Sequence, residues 1–386
     1  EAVDAVHAAG GRVVVITAKH PTHARQHLDH LGIAADEVHG GAWAGGKSQA
    51  LRDTGAGLYV GDHTADAAAA RAAGVTAVGV TTGPCPAPDL RTAGAEEVLG
   101  SLVEFPAFLQ QWLLRSRLAA LDEGLRALGS VVVAYSGGAD SAFLLAAAVR
   151  ALGPERVVAA TAISPSLPAS ELDAARELPA QLGVEHVTPA TDELSRDGYR
   201  ANAGDRCYFC KAELLDTLTP IAAERGATVL TGTNADDAVA GFRPGIRAAA
   251  ERGAVAPLRD AGLTKAQVRA ASREWRLSTW DKPAAACLSS RIAYGIEVSR
   301  ERLARVERAE SELRSVLHNA GIVVRDLRVR DLGEAGARVE VDAAVVPALA
   351  ARPDLLAAVR GFPAVHLDPR GFRSGSMNEA LPDAYR

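Results

Sequence analysis

The chain has 386 residues and a formal net charge of −5, with 48% hydrophobic and 23% charged residues, which is typical of globular proteins and excludes disordered or fibrous chains. The acidic balance argues against a nucleic-acid binder, and no apolar run approaches the ~20 residues that cross a bilayer. Four cysteines cannot form a disulfide scaffold in a chain of this length. We therefore expect a cytoplasmic protein without nucleic-acid or membrane partners.

The first block of the chain, residues 1–112, alternates short apolar strands with helices. The predicted strands are 11–17, 57–62 and 75–80, and the predicted helices are 23–31 and 65–73. Glycines at the junctions and apolar strands separated by helices indicate a parallel sheet covered on both faces. A long helix over 103–128 leads into the second block.

The second block, residues 113–295, repeats the alternation and predicts an α/β domain with a doubly wound parallel sheet. Its predicted strands are 131–135, 156–163 and 227–231, and its predicted helices are 141–152 and 170–182. The third block, residues 296–386, opens with an amphipathic helix over 299–320. Strands over 323–329 and 337–341, another helix and a glycine-rich segment follow, so this block predicts a small α+β domain.

A glycine-rich loop follows the predicted strand 131–135. It contains Ser136, Gly137, Gly138, Asp140 and Ser141, and a helix comes next. The glycines let the backbone approach an anion without Cβ obstruction, and the helix start offers N–H groups and partial positive charge to phosphate oxygens. Asp140 is a poor phosphate ligand, so we expect it to hold Mg²⁺ or brace the loop. An ordinary strand-to-helix turn is the alternative.

Three cysteines form a second group of candidates. Cys207 and Cys210 make a CxxC, and Cys287 lies 77 residues further along. A CxxC places two sulfurs within one turn, which suits a metal, a cluster or a redox pair; buried spectator cysteines are the alternative. Zinc is disfavoured because a fourth ligand is lacking in the sequence. Three thiolates could hold a [4Fe–4S] cluster with one open iron, and a persulfide or sacrificial role of Cys287 competes with that interpretation.

The loop resembles that of the PP-loop adenine nucleotide α-hydrolases, which cleave ATP between the α- and β-phosphates. Four segments together resemble the ATP-dependent sulfur transferases of nickel-pincer nucleotide cofactor synthesis (the LarE family), over about residues 113–386. These segments are 136–141, 232–237 with 243–245, 287–291, and 371–378. One departure lies between Asp237 and Arg243, where the spacing is a residue longer than in the family and Gly241 replaces an acidic residue.

The resemblance implies that the protein adenylates a carboxylate of a pyridinium mononucleotide and delivers sulfur to form a thiocarboxylate. It implies ATP and Mg²⁺ as cofactors. Cys287 matches the family's sulfur-donating cysteine, which some members sacrifice. Cys207 and Cys210 place the chain with the members associated with a three-cysteine iron–sulfur cluster, so a [4Fe–4S] cluster and a homo-oligomer are also expected.

Four arginines are candidates to bind the phosphate and carboxylates of that substrate, because planar guanidinium groups suit both anions. They are Arg291, Arg328, Arg330 and Arg373. For each of these arginines taken singly, the alternative to substrate binding is that its side chain is a solvated surface charge.

The first block resembles the later motifs of haloacid-dehalogenase (HAD)-type phosphatases. Thr17 ends a predicted strand, Lys47 follows two glycines, and Asp62 and Asp66 follow another strand. The family's nucleophilic aspartate is expected upstream, in a strand that these residues do not include, so we expect no phosphatase turnover from residues 1–112. A decayed or purely structural domain is the alternative for residues 1–112. Met377 is the only methionine, so we expect the numbering to begin inside a longer gene product or in a processed one.

Three other functions compete with sulfur transfer. An amidating synthetase of the NAD-synthetase kind would give the cysteines no role. A tRNA thiolase is disfavoured by the acidity and by the lack of a basic stretch. A non-catalytic nucleotide sensor would bind ATP without cleaving it to AMP and pyrophosphate.

Overall fold

The structure is a computed structural model that describes residues 1–43, 45–239, 241, 243–283, 286–373 and 375–380. The chain forms two compact units, Glu1–Ser116 (unit 1) and Arg117–Arg386 (unit 2). The second and third predicted blocks fall within unit 2, and their division at residue 295 stays a prediction. Among the described residues, no helix is both long enough and apolar enough to cross a membrane.

Unit 1 alternates strands and helices as predicted. Its strands are β1 (Val14–Ile16), β2 (Glu37–His39), β3 (Leu58–Gly61), β4 (Thr76–Val80) and β5 (Glu97–Leu99). Its helices are α1 (Ala2–Ala8), α2 (Pro21–His30), α3 (Gly45–Asp53), α4 (Thr64–Ala73), α5 (Ala87–Ala93) and α6 (Phe105–Leu128), which contains the boundary with unit 2.

The strands of unit 1 form two parallel sheets, β1–β2 and β3–β4–β5, rather than the single sheet that the sequence predicted. The difference arises because β1 and β3 do not pair with each other among the described residues. Each sheet still packs on helices: Leu51, Ala70 and Leu90 are fully buried in the core beneath them.

Unit 2 contains the remaining regular elements. Its strands are β6 (Val131–Ala134), β7 (Val157–Ala160), β8 (Glu185–Val187), β9 (Thr228–Thr231), β10 (Leu327–Asp331), β11 (Ala337–Val341) and β12 (Val365–Leu367). Its helices are α7 (Ala139–Leu152), α8 (Ala169–Ala175), α9 (Glu177–Leu182), α10 (Asp197–Arg200), α11 (Arg206–Glu224), α12 (Ala235–Val239), α13 (Pro244–Glu251), α14 (Pro257–Asp260), α15 (Lys265–Glu274), α16 (Arg300–Asn319) and α17 (Val346–Ala350). Six short 3₁₀ helices complete it, at Pro154–Arg156, Glu193–Ser195, Leu288–Arg291, Gly333–Ala335, Pro353–Ala358 and Ser376–Ala380.

The larger sheet of unit 2 is entirely parallel, with the order β8-β7-β6-β9. The chain moves from β6 outward through β7 to β8 and then crosses back to place β9 on the other side of β6. Strand order therefore reverses at β6, which is the switch point where open α/β sheets bind ligands. The predicted α/β fold with a parallel sheet is confirmed here.

The last part of unit 2 is a three-stranded mixed sheet, in which β11 pairs antiparallel with β10 and parallel with β12. Helix α16 begins at Arg300, where the Ser299 side chain accepts a hydrogen bond from the amide of Arg302. Its fully buried Leu313 and Leu317 pack on the sheet. The α+β arrangement agrees with the prediction for residues 296–386.

Three details differ from the sequence prediction. The predicted helix 170–182 is two helices, α8 and α9, which meet at Arg176, and the buried Pro179 lies in the first turn of α9. The predicted strand 323–329 begins only at Leu327. The CxxC lies at the start of a 19-residue helix, α11, which sequence patterning had not identified.

A buried carboxylate joins α16 to the mixed sheet. Asp331 has no exposed surface, and its side chain accepts hydrogen bonds from Arg302 at 2.9 Å, Arg305 at 2.7 Å and the amide of Gly333 at 2.9 Å. Burial alone would raise the pKa of this carboxyl, but the hydrogen bonds from Arg305, Gly333 and Arg302 hold it below its usual range.

We expect Asp331→Asn to destabilise unit 2 by about 3 kcal/mol. This value is at the lower end of the range for breaking a buried ion pair, because the side chains of both arginines remain 30% exposed. Since the folded pKa is depressed, the stabilisation is complete above the unfolded value of about 3.9 and is lost as pH falls below it. Urea denaturation at a series of pH values measures both effects. Asp173→Asn, which removes an exposed partner of Arg176, is the control and should change stability by less than ~1 kcal/mol.

Candidate functional site

The glycine-rich loop lies at the switch point, between β6 and α7. Gly137 has a φ of +70°, a conformation that only glycine adopts without strain. A Cβ on Gly232, which follows β9, would lie 3.0 Å from the amide nitrogen of Ser141, so the two strand ends approach closely. The Ser141 hydroxyl lies 3.1 Å from that of Ser136 and donates to the carbonyl of Gly138 at 3.1 Å, which braces the loop.

A pocket of about 410 Å³ opens over this loop and the start of α7. Three of the five lysines of the chain line it, namely Lys211, Lys265 and Lys282, together with Arg269. The ammonium of Lys282 donates to the Gly137 carbonyl at 3.1 Å and pairs with Glu171 at 2.8 Å. Four cationic side chains and the free N–H groups of a 14-residue helix make this a site for a polyanion.

Asp140 supplies a carboxylate to the same pocket. Its Oδ1 atom is buried and has no hydrogen-bond partner among the described residues. Burial raises the pKa of Asp140; Lys265 opposes this shift, and the nearby charge of Asp237 adds to it. Two carboxylates, one of them with an unsatisfied oxygen, beside a polyanion site fit Mg²⁺, a hard cation that prefers oxygen ligands.

The wall of the pocket opposite the loop comes from the end of β7. Ala160, Thr161 and Ala162 line it. The Thr161 hydroxyl donates to the Tyr135 carbonyl at 2.8 Å, so this wall is held to the strand that precedes the loop. Burial raises the pKa of Tyr135 to about 12, so this phenol is neutral.

The CxxC and the distant Cys287 segment are joined through Arg206. The guanidinium of Arg206 is buried, donates to the Ser289 carbonyl at 3.0 Å and bonds to Asn202. The Asn202 side chain in turn donates to the carbonyls of Ala293 at 2.8 Å and Ile296 at 2.9 Å. These bonds fix the start of α11 against the segment that follows Cys287.

The three thiols are close enough to affect one another's protonation. Burial raises the pKa of the Cys210 thiol, and the charges of Cys287, Glu193 and Cys207 raise it further. The Cys287 sulfur also lies 2.9 Å from the hydroxyl of Ser289. The fold thus places Cys207, Cys210 and Cys287 in one region of unit 2, and their joint role stays a prediction.

The thiols converge without forming a preassembled metal centre. Among the described residues, no group of three or more His, Cys, Asp or Glu side chains is arranged to hold a metal ion. The donor chemistry, three cysteines with two of them one turn apart on α11, still suits a cluster. Cys207 is exposed, whereas Cys210 and Cys287 are half-buried, so the region is open to solvent on the Cys207 side.

A second pocket, of about 230 Å³, lies beside the first and shares Pro283 with it. Arg328 and Arg330 line it, with Tyr294, Phe372 and Ser376. Burial lowers the pKa of Arg328, and the charges of Arg291 and Arg330 act in the same direction. Adjacent buried cations of this kind favour binding of an anion.

The other two predicted arginines have structural partners. Arg291 donates to Glu310 at 3.0 Å and to the Cys287 carbonyl at 3.0 Å, so it supports the Cys287 segment from below. Arg373 forms an ion pair with Glu379 and is not among the residues that line the second pocket. Ser374, which belongs to the segment 371–378 named above, lies outside the described residues.

In unit 1, the structure brings together two of the four predicted phosphatase-like residues. The ammonium of Lys47 lies 2.5 Å from a carboxylate oxygen of Asp66, which also accepts a hydrogen bond from Tyr59 at 3.1 Å. Asp62 directly follows β3, and Thr17 follows β1, where its hydroxyl accepts a bond from the Lys19 amide at 3.3 Å. The phosphatase-like character of unit 1 stays a prediction.

Sequence reasoning missed three charged residues that line the first pocket, namely Lys211, Lys282 and Asp237 as a partner of Asp140. The scarcity of lysine could have pointed to them, because Lys211 follows the CxxC directly and Lys282 lies five residues before Cys287 in a chain with only five lysines. The pockets could not be predicted from the sequence. Their walls come from segments far apart in the chain, such as those of Gly137 and Lys282, which are 145 residues apart.

These features define a class of protein. It is an α/β protein with a glycine-rich loop suited to anions at the switch point of a parallel sheet, and three cysteine thiols lie near the pocket over that loop. An uncharacterized protein of Synechocystis sp. is 40% identical over 275 residues, which is 70% of this chain and 99% of that protein. The pyridinium-3,5-bisthiocarboxylic acid mononucleotide synthase of Lactiplantibacillus plantarum is 35% identical over 282 residues, 70% of this chain and 97% of that enzyme. The chain belongs to the family of this synthase.

A more distant similarity joins the chain to the argininosuccinate synthase of Halobacterium salinarum, at 31% identity over 163 residues, 39% of this chain and 38% of that enzyme. No family model matches the chain. The family predicted from the four segments is confirmed, whereas its three-cysteine type and the phosphatase-like domain stay predictions.

We expect Asp140→Asn to stabilise the ligand-free protein by about 1 kcal/mol, because it removes the charge of a buried, unsatisfied carboxylate. The raised pKa sets the sign: the gain is largest at high pH, and it shrinks as pH falls and the wild-type carboxyl protonates. Urea denaturation of the wild type and variant at pH 7 and pH 4 measures it. Asp260→Asn, at an exposed pair with Arg259, is the matched control; an equal gain there would contradict the assignment.

Proposed function

We propose that unit 2 is an ATP-dependent sulfur transferase that adenylates a carboxylate of a pyridinium mononucleotide and converts it to a thiocarboxylate. One observation carries the proposal: the first turns of α11 separate a cationic pocket from a group of three thiols. Lys211 and Leu214 of this helix line the pocket, while Cys207 and Cys210 interact with Cys287.

The first half of the reaction is supported by the pocket at the loop. The loop amides and the lysines would hold the triphosphate, and Asp140 would hold Mg²⁺, which neutralises phosphate charge when bound. A substrate carboxylate oxygen attacks the α-phosphorus, the bond between the α- and β-phosphates breaks, and pyrophosphate leaves. Fixed cations stabilise the charge that develops on the phosphates without reorganisation during the reaction.

The substrate would enter from the second pocket. Arg328 and Arg330 would bind its phosphate or its second carboxylate, since guanidinium groups bind both anions in a bidentate manner. Arg330 is itself held by Glu340 at 2.8 Å and by the Ser290 carbonyl at 3.2 Å, so its guanidinium is pre-oriented. Arg291 is a positioning residue here, and Arg373 is proposed only as an outer contact.

The second half of the reaction is supported by the thiols. A sulfur nucleophile attacks the acyl carbon of the adenylate, and AMP leaves with the bonding electron pair. We favour Cys207, Cys210 and Cys287 as ligands of a [4Fe–4S] cluster, which when bound would supply an open iron for hydrosulfide. Direct donation of the Cys287 sulfur is the competing route. The amidating synthetase leaves the three thiols without a role, and the tRNA thiolase is disfavoured by the acidity of the chain.

For the adenylation half, we expect Ser136→Ala and Asp140→Ala each to lower AMP formation at least about 10²-fold, because both act on the phosphate-binding loop. The assay follows AMP and pyrophosphate from ATP in the presence of the carboxylated nucleotide, with circular dichroism to confirm folding. Ser195→Ala, outside the pocket in the same unit, is the control and should keep full activity. Unchanged AMP release in both loop variants would refute the nucleotide site.

For the sulfur half, we expect anaerobically prepared protein to absorb broadly in the visible region and to contain about four irons per chain. Alanine at Cys207, Cys210 or Cys287 should each remove the iron and the thiocarboxylate product but leave AMP formation intact. Cys85→Ala, at the cysteine of unit 1, is the matched control and should change neither.

The competing route makes different predictions for the same variants. Cys287→Ala alone would stop sulfur transfer, the two CxxC variants would be mild, and mass spectrometry after turnover would find Cys287 lighter by one H₂S. That pattern of activities, together with the absence of bound iron, would contradict the cluster hypothesis and support Cys287 as a sacrificial sulfur donor.

A further inference from the structure

Unit 2 contains a third cavity, of about 850 Å³, that the proposed reaction leaves without an occupant. It is lined by α16, by the start of α8 and by Ala286 and Leu288, the two neighbours of Cys287. The amide of Ala169 in α8 donates to the Glu307 side chain of α16 at 2.9 Å, so the two helices are tied together at this cavity.

The three carboxylates that line this cavity are already engaged by other groups. Glu310 pairs with Arg291 at 3.0 Å, and Glu171 pairs with Lys282 at 2.8 Å. Glu307 accepts the hydrogen bond from α8 described above. These carboxylates therefore have partners of their own and do not neutralise the remaining basic side chains of the cavity by direct contact.

Two arginines of α16 supply positive charge to the cavity. Among the described residues, Arg308 has no hydrogen-bond or ion-pair partner, and Arg314 donates only to the neutral carbonyl of Val324 at 3.2 Å. Ser311 lies three residues from each arginine, so it is the neighbour of both on the helix surface, and Ser315 follows one turn later. Two guanidinium groups with hydroxyls between them match the oxygens of a phosphate monoester.

The cavity is apolar beside this charged patch. Ile322, Val323 and Val324 line it there, and Val323 is 86% exposed although it is a large apolar residue. The bond from Arg314 to the Val324 carbonyl places the charge directly next to the apolar wall. A ligand with a phosphate at one end and a planar ring at the other satisfies both surfaces, and the volume lies in the range of about 300–1,000 Å³ that small-molecule sites occupy.

We propose that this cavity is a second binding site for a mononucleotide, separate from the first pocket over the glycine-rich loop. The phosphate binds between Arg308 and Arg314 beside Ser311, and the ring lies against Val323. Two compounds of this chemistry take part in the reaction proposed above, AMP and the pyridinium mononucleotide. Only the choice between these two sources rests on the proposed function; the site itself rests on the charges and the shape of the cavity.

The cavity is connected to the thiol region through Arg291. This side chain lines the cavity and donates to the Cys287 carbonyl at 3.0 Å. A mononucleotide in the cavity therefore contacts the segment that carries Cys287 without entering the first pocket.

Equilibrium dialysis of the full chain at saturating ligand tests the site without any turnover. The probes are AMP and nicotinic acid mononucleotide, a carboxylated pyridinium mononucleotide. The double variant Arg308→Gln/Arg314→Gln, folded by circular dichroism, should bind one equivalent per chain fewer of at least one probe, and the probe that is lost identifies the source. Arg300→Gln is the matched control, because Arg300 is an exposed arginine of α16 that pairs with Asp192 outside the cavity; it should bind like the wild type.

Unchanged stoichiometry of both probes in the double variant would overturn the proposal. A weaker affinity at unchanged stoichiometry would also overturn it, because the cavity would then be an extension of the second pocket, with which it shares Arg328. Failure of the wild type to form AMP from ATP would refute the proposed function and leave this site standing, since dialysis requires no reaction.

A third variant separates a mononucleotide from a simple anion. Val323→Ser should weaken the probe at this site about threefold, because apolar contact with the ring is lost, and should leave competition by inorganic phosphate unchanged. Arg308→Gln should weaken both the probe and inorganic phosphate at least about tenfold. Equal affinities of inorganic phosphate and the mononucleotides in the wild type would contradict the ring contact and with it the proposed ligand.

Discussion

The candidate site of unit 2 depends on the hydrogen bonds of one buried guanidinium group, that of Arg206. It is 5% exposed, and taking such a charge out of water is costly unless its donors are satisfied. Its partners are the Asn202 side chain and the Ser289 carbonyl. Because Arg206 immediately precedes Cys207 and Ser289 lies two residues after Cys287, satisfying this one charge also brings the thiols together.

Asn202 completes this arrangement from the other side. It has a φ of +52° and no exposed surface, a conformation that asparagine tolerates better than most residues. Its amide donates to three carbonyls of the chain after Arg291. These bonds satisfy the buried amide of Asn202 and hold the chain after Arg291 against the residues that precede α11.

The electrostatics of unit 2 differ on the two sides of α11. On the side of the loop, basic side chains dominate, and burial lowers the pKa of Lys211, although negative charge on Cys210 or Cys207 would act against this shift. On the side of the thiols, burial and mutual repulsion favour neutral sulfur, as the raised pKa of Cys210 indicates. The pocket at the loop therefore offers basic side chains to an anion, whereas the neighbouring thiols are favoured in their neutral form.

Local patterns in the sequence determined the elements and the loop. The apolar run 131–134, followed by two glycines, can form little other than a buried strand and a tight turn, and Ser299 and Thr264 cap helices where they stand. Tertiary structure alone decided that the Cys287 segment is held beside the CxxC, that Lys282 reaches Gly137 and that Arg291 pairs with Glu310. The reason is physical: these contacts join residues far apart in the chain, and their energies come from burial and charge pairing that exist only after the sheets and helices have packed.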